Sequence, residues 1–162
     1  MNSSILLVTA GGTIDKVYFD AKSDFEVGES VVGEMLHQAH VELPFEVVEV
    51  FRKDSLEITD PDREKIRRTI ADHPSAQVIV THGTDTMVET AEVLEGIDGK
   101  TIVLTGALSP ARFAQTDATF NVGLAFGAVQ CLPIGVYIAM NGQIFPSGKV
   151  RKDVAANQFV RT

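Results

Sequence analysis

The sequence has one cysteine, Cys131, and no tryptophan. A single thiol cannot build an intrachain disulfide framework, and in its apolar stretch Cys131 is expected to be a small buried hydrophobe. Basic residues are outnumbered, with 14 Lys and Arg against 22 Asp and Glu, for a net charge of −8. A protein that grips a nucleic-acid backbone needs a basic surface, so no nucleic-acid partner is expected. The two short basic clusters, Arg63 to Arg68 and Lys149 to Lys152, are interleaved with acidic or apolar residues and are expected to be solvated faces. No apolar run approaches the roughly 20 residues of a membrane-crossing helix. Met1-Asn2-Ser3-Ser4 carries no basic segment, and Ile5 to Ala10 is too short for a secretion signal, so a cytoplasmic protein with no membrane partner is expected. His37 and His40 stand three apart on a predicted helix, but no carboxylate or third histidine joins them, so no metal is expected.

What is present is ordinary for a globular domain: 162 residues, 44% hydrophobic and 22% charged. That length supports one compact unit, residues 1–162, with no linker, repeat or low-complexity segment. Short apolar runs over Ile5–Thr9, Glu46–Phe51, Gln77–Thr81, Thr101–Thr105 and Gly135–Met140 read as strands. Helical patterns lie between them. Val31, Met35, Leu36 and Ala39 share one face; Met87, Ala91 and Leu94 share another; Val122, Ala125, Phe126 and Val129 a third. Asp60-Pro61 reads as a cap followed by a first-turn proline, opening a helix to about Asp72. Thr13 to Phe25 has no clean period and reads as an irregular or hairpin-like loop. Asn141-Gly142 signals a tight turn, predicting a C-terminal β-hairpin with Gln143–Phe145.

Strand alternating with helix predicts an α/β fold: a three-layer, doubly wound, mostly parallel sheet of the flavodoxin or Rossmann kind, with helices on both faces. Ligands of such sheets bind beyond the carboxyl ends of the strands, where strand order reverses. If the first and third strands flank that point, the loops after Thr9 and Thr81 face each other.

Those loops carry the chemistry-bearing residues. Thr9-Ala10-Gly11-Gly12-Thr13-Ile14-Asp15 lacks the glycine spacing of a dinucleotide fingerprint, and Gly96-Ile97-Asp98-Gly99-Lys100-Thr101 is too short and precedes a strand, so neither is a nucleotide loop. Gly11 and Gly12 thin the backbone beside the Thr13 hydroxyl, leaving room for a substrate and for amide donors. A threonine hydroxyl is a poor nucleophile at its free pKa and requires a base or a lysine-coupled relay. In His82-Gly83-Thr84-Asp85-Thr86, Thr84 or Asp85 can cap the following helix and His82 can be a satisfied strand-end residue. Alternatively, this segment brings a second hydroxyl and a carboxylate to the first loop. Asp117 is expected to cap its own helix.

Taken together, Thr9 to Asp15, His82 to Glu89 and Thr105-Gly106-Ala107 resemble the signatures of the bacterial-type L-asparaginases, and Asp54-Ser55 with Ile58-Thr59 and Asp62 resembles that family's substrate-binding serine loop. The resemblance runs from Ile5 to about Asn157. It implies hydrolysis of L-asparagine to L-aspartate and ammonia without a cofactor. Thr13 is the implied nucleophile, Thr84 and Asp85 belong to the second catalytic group, and Gly12, Ser55, Gly83, Thr84 and Asp85 form the substrate site. The family's loop tyrosine falls on Phe25, with Tyr18 as the nearby replacement. The family's lysine falls on Ala156, leaving Lys152, or less favourably Lys149, to reach Thr84 and Asp85. The resemblance covers the family's N-terminal domain and implies a homodimer or homotetramer. The loss of the lysine and tyrosine leaves an alternative: an inactive module that binds a small amino acid.

Overall fold

The computed structural model describes residues 4–21 and 24–162. In chain order it comprises β1 (Ile5–Gly11), a 3-10 turn (Thr13–Asp15), β2 (Lys16–Phe19), β3 (Asp24–Val27), α1 (Val32–Gln38), β4 (Phe45–Lys53), a second 3-10 turn (Ser55–Glu57) and α2 (Asp60–Asp72). There follow β5 (Gln77–Thr81), α3 (Met87–Leu94), β6 (Thr101–Thr105), α4 (Ala118–Cys131), β7 (Gly135–Met140), β8 (Gln143–Pro146), β9 (Val150–Asp153) and β10 (Gln158–Arg161).

The main sheet has the order β4-β1-β5-β6-β7-β8, parallel except for the antiparallel β8. β1 and β6 are buried along their whole length, as continuous apolar runs covered on both faces must be. One face of the sheet packs Leu6, Val8, Val78 and Val80 against Ile66 and Ile70 of α2 and Met87, Ala91 and Leu94 of α3. The other packs Ile5, Leu7, Ile79 and Val103 against Val32 and Leu36 of α1 and Val122, Ala125 and Phe126 of α4. The doubly wound α/β expectation therefore holds, with helices on both faces. The strand order reverses between β1 and β5, which pair in register from Leu6↔Val78 to Thr9↔Thr81.

Asn141 and Gly142 both adopt positive φ, 53° and 68°, as the two-residue turn joining β7 to β8 requires. A second hairpin, β9–β10, closes the described chain and buries Val150 and Phe159 against the α2–α3 face. The segment after Thr13 becomes a separate hairpin, β2–β3, paired with no strand of the main sheet.

Four local expectations are corrected. The cap of α2 is Thr59, one residue earlier than Asp60, because Thr59 and Asp62 bond reciprocally in a capping box that Asp60 cannot form. On α1, Val32 takes the buried position expected of Ala39, which is exposed at the helix end. Cys131 is exposed, because α4 ends there and its buried face lies on other residues. Asp117 occupies the cap position of α4, but its carboxylate caps no amide of that helix: it accepts from the Leu108 and Ser109 amides and from Asn121 Nδ2, tying the loop after β6 to the side of the helix.

Candidate functional site

The turns after β1 and β5 meet at the point where the strand order reverses. Gly11 and Gly12 hold φ of 93° and 90°, a region closed to most side chains. A Cβ added at Gly12 would stand 2.4 Å from the Gly83 nitrogen, and one at Gly83 would stand 2.5 Å from Ser55 Cβ. Gly12, Gly83 and Ser55 therefore stack in direct contact, and side chains on either glycine would drive the three segments apart. The Gly12 N–H donates to Lys53 O (2.9 Å), which ties the first turn to the end of β4 and leaves this amide engaged. Thr86 Oγ1 donates to Ser55 O (2.7 Å), fastening the serine turn to the start of α3.

Thr84 is buried and Asp85 exposed beside it. Lys152 Nζ donates to Thr84 Oγ1 (2.8 Å) and to Asp85 Oδ1 (2.7 Å). Its side chain is only 12% exposed, so the ammonium is largely shielded from water where these bonds strengthen. Lys152 lies opposite Phe159 in the β9–β10 pair and two residues from buried Val150, which directs it inward. Thr86 holds the α3 cap position and its hydroxyl caps no amide of that helix, turning instead to Ser55 O, so neither Thr84 nor Asp85 is occupied in capping α3. The basic clusters are thus not purely solvated faces, since Lys152 enters this site and Arg63 is buried.

Arg63 belongs to a network beneath the second turn. Its Nε donates to Thr90 Oγ1 (3.1 Å), which in turn lies 2.8 Å from His82 Nε2, while His82 Nδ1 lies 2.7 Å from Gly83 O. Burial pushes the His82 imidazole down to about 4, so it is neutral near pH 7. A neutral ring then donates from Nδ1 to the Gly83 carbonyl and accepts the Thr90 hydroxyl proton at Nε2, which fixes the Gly83 peptide. The sequence marked His82 but not Arg63 or Thr90; helical spacing alone puts Thr90 on the buried face of α3.

Thr13 sits partly buried in its 3-10 turn, and among the described residues its hydroxyl takes no hydrogen bond. Two residues on, Asp15 is 1% exposed, and burial raises its carboxyl to about 6 despite a bond from the Val31 amide and the nearby Arg112 guanidinium. Tyr18 is exposed on β2. Its ring packs on Phe25 at 5.1 Å between centroids, and its hydroxyl takes no hydrogen bond among the described residues. A groove of about 530 Å³ runs between the β2–β3 hairpin and the Ser55 turn, walled by residues that include Lys16, Phe25, Val27, Asp54 and Leu56. Lys16 and Asp54 pair across it at 3.3 Å. The structure thus brings Gly12, Ser55, Gly83, Thr84, Asp85 and Lys152 together, with Thr13 in the adjoining turn, while Tyr18, on the strand that follows that turn, bonds none of them. Lys149 is exposed, and Ala156 lies in the β9–β10 turn.

Among the described residues, no group of three His, Cys, Asp or Glu is placed to hold a metal, and no helix is long and apolar enough to cross a membrane. Lys100, from the segment considered as a nucleotide loop, bonds the carbonyls of His73 and Ser75 and is structural.

Residues 4–159 match the family model for the asparaginase N-terminal domain. An L-asparaginase of Bacillus licheniformis is 29% identical across 97% of this chain, and a glutaminase-asparaginase of Acinetobacter glutaminasificans is 28% identical across 94%. The chain spans about half the length of these relatives, 52% and 50%. L-asparaginase I from Vibrio cholerae superposes with a TM-score of 0.86 at 25% identity, over 99% of this chain and 52% of that one.

Proposed function

This chain belongs to the asparaginase family through its N-terminal domain, and from that premise we propose that it is a cytoplasmic amidohydrolase acting on L-asparagine, with Thr13 as nucleophile. The observation that carries this reading is the Lys152 ammonium bonded to both Thr84 and Asp85, where the family's lysine position holds alanine. A lysine four residues earlier in sequence, on β9, supplies the missing charge.

In this reading the Ser55 hydroxyl and the amide-rich turn receive the substrate carboxylate, and the Asp85 oxygen not held by Lys152 receives its ammonium. Thr13 Oγ1 attacks the side-chain amide carbon, forming a C–O bond and passing its proton towards the leaving nitrogen. The C–N bond breaks, ammonia departs, and water cleaves the acyl-threonine to release L-aspartate. Because Lys152 donates to Thr84 Oγ1, the Thr84 proton is free to point at the substrate or at the attacking water. Gly12's amide is already bonded to Lys53, so developing oxyanion charge falls to other amides of the two turns, Thr84's foremost. Assembly as a homodimer or homotetramer belongs to the same reading.

One observation favours a second reading, an inactive module that binds a small amino acid. Thr13 has no hydroxyl or base bonded to it among the described residues, since Phe25 has no hydroxyl and Tyr18 turns to Phe25. Ammonia release from L-asparagine, measured beside a Thr13→Ala variant, separates the two. Release abolished by the substitution supports the hydrolase. Tight L-aspartate binding by a folded protein that releases no ammonia selects the module.

A further inference from the structure

The turn that carries Thr13 and the β2–β3 hairpin that follows it share one attachment. Ala111 N–H donates to Ile14 O (3.0 Å), and Gly28 N–H donates to Asp15 O (2.8 Å), so the two feet of the hairpin meet at Asp15. Arg112 Nη1 donates to the same Asp15 carbonyl (3.0 Å) while Nη2 donates to Glu29 O (2.7 Å). The Asp15 carboxylate in turn accepts from Val31 N–H (3.3 Å). Phe113, the next residue, packs on Phe25 at 5.8 Å, and Phe25 packs on Tyr18.

The hairpin pairs with no strand of the main sheet, so its position depends on these feet, on the Phe25–Phe113 contact and on the Lys16–Asp54 ion pair. A single planar guanidinium reaches both feet at once. A lysine ammonium in the same place is a point donor and cannot span two carbonyls with the same fixed geometry. We propose that Arg112 is a positioning residue of the site: through the carbonyls of Asp15 and Glu29 it fixes both the Thr13 turn and the hairpin wall beside it. The proposal rests on Thr13 as the reacting residue, but the clamp itself is a property of the fold and is measurable without activity.

The test compares the wild-type protein with Arg112→Met and Arg112→Lys. Amide exchange of Gly28 and Val31, read by NMR, is expected to quicken roughly tenfold in Arg112→Met, while Leu7 and Ile79 in the main sheet keep their protection. Ammonia release from L-asparagine is expected to fall roughly tenfold or more in kcat, as displacement of a reacting group produces, with Arg112→Lys restoring part of it. Unchanged exchange at Gly28 and Val31 overturns the clamp. Quickened exchange with an unchanged kcat overturns the positioning role. If the wild-type protein releases no ammonia, the hydrolase reading fails by itself; L-aspartate affinity then replaces kcat as the measure, and an unweakened affinity in Arg112→Met overturns the positioning role.

Discussion

Replacing Asp15 by asparagine should make the fold more stable near neutral pH, and the gain should itself depend on pH. The carboxyl is almost wholly buried, and burial raises it from its ordinary 3.8 to about 6. Between those values the unfolded chain has released the proton and the folded chain still holds it, so the unfolded state binds fewer protons. Stability from this group is therefore fully present below about pH 4 and is lost as pH rises through about 6. At about 1.4 kcal/mol per pH unit, the gap between 3.8 and about 6 corresponds to about 3 kcal/mol. Asparagine keeps an oxygen for the Val31 amide and never ionises. Urea unfolding from about pH 4 to about pH 8 should show the variant gaining about 3 kcal/mol on the wild type across that range, or roughly 6–12 °C in Tm for a domain of this size. His82 also titrates between folded and unfolded states, but it is present in both proteins and cancels in the difference. A stability difference that stays constant with pH would refute the reasoning, because it would mean that Asp15 is not held neutral by its surroundings.

Three further substitutions read other parts of the site. Lys152→Met should lower ammonia release from L-asparagine about 100-fold or more while Tm stays near the wild-type value, since Asp85 is exposed enough to rehydrate; activity near wild type would remove Lys152 from the mechanism. Thr81→Val should leave stability unchanged or raise it by about 1 kcal/mol in urea unfolding, because the Thr81 hydroxyl is buried without a partner among the described residues. Gly12→Ala should cost about 3 kcal/mol or more in the same assay, from φ near +90° and a Cβ 2.4 Å from Gly83 nitrogen.

The fold was legible because its signals are local. β5, β6 and β7 begin and end at the residues their apolar runs predict, since no charged residue interrupts a strand interior to the sheet. The placing of the first and third strands side by side also holds, and with it the meeting of the two glycine turns. The cap of α2 slipped by one residue because Thr59 and Asp60 are both good caps, and only the reciprocal bond to Asp62 decides between them. Cys131 was misplaced for a different reason: hydropathy of a stretch does not say which side of a helix its last residue takes.

The site was harder to read, because its deciding contacts are long-range. Sequence spacing left Lys149 and Lys152 as alternatives for the charge beside Thr84. The β9–β10 register separates them: Val150 and Phe159 enter the core, Lys152 shares their side of the hairpin, and Lys149 precedes the strand in the open. Arg112 left no signal at all, since its partners are backbone carbonyls 97 and 83 residues away. A carbonyl has no sequence identity, so a side chain that works by holding one is invisible until the chain has folded. Both residues sit on segments that reach the turns from outside the first and third strands. On the proposed reading the glycine motifs mark where the chemistry belongs, and the groups that would tune it arrive from the later half of the chain.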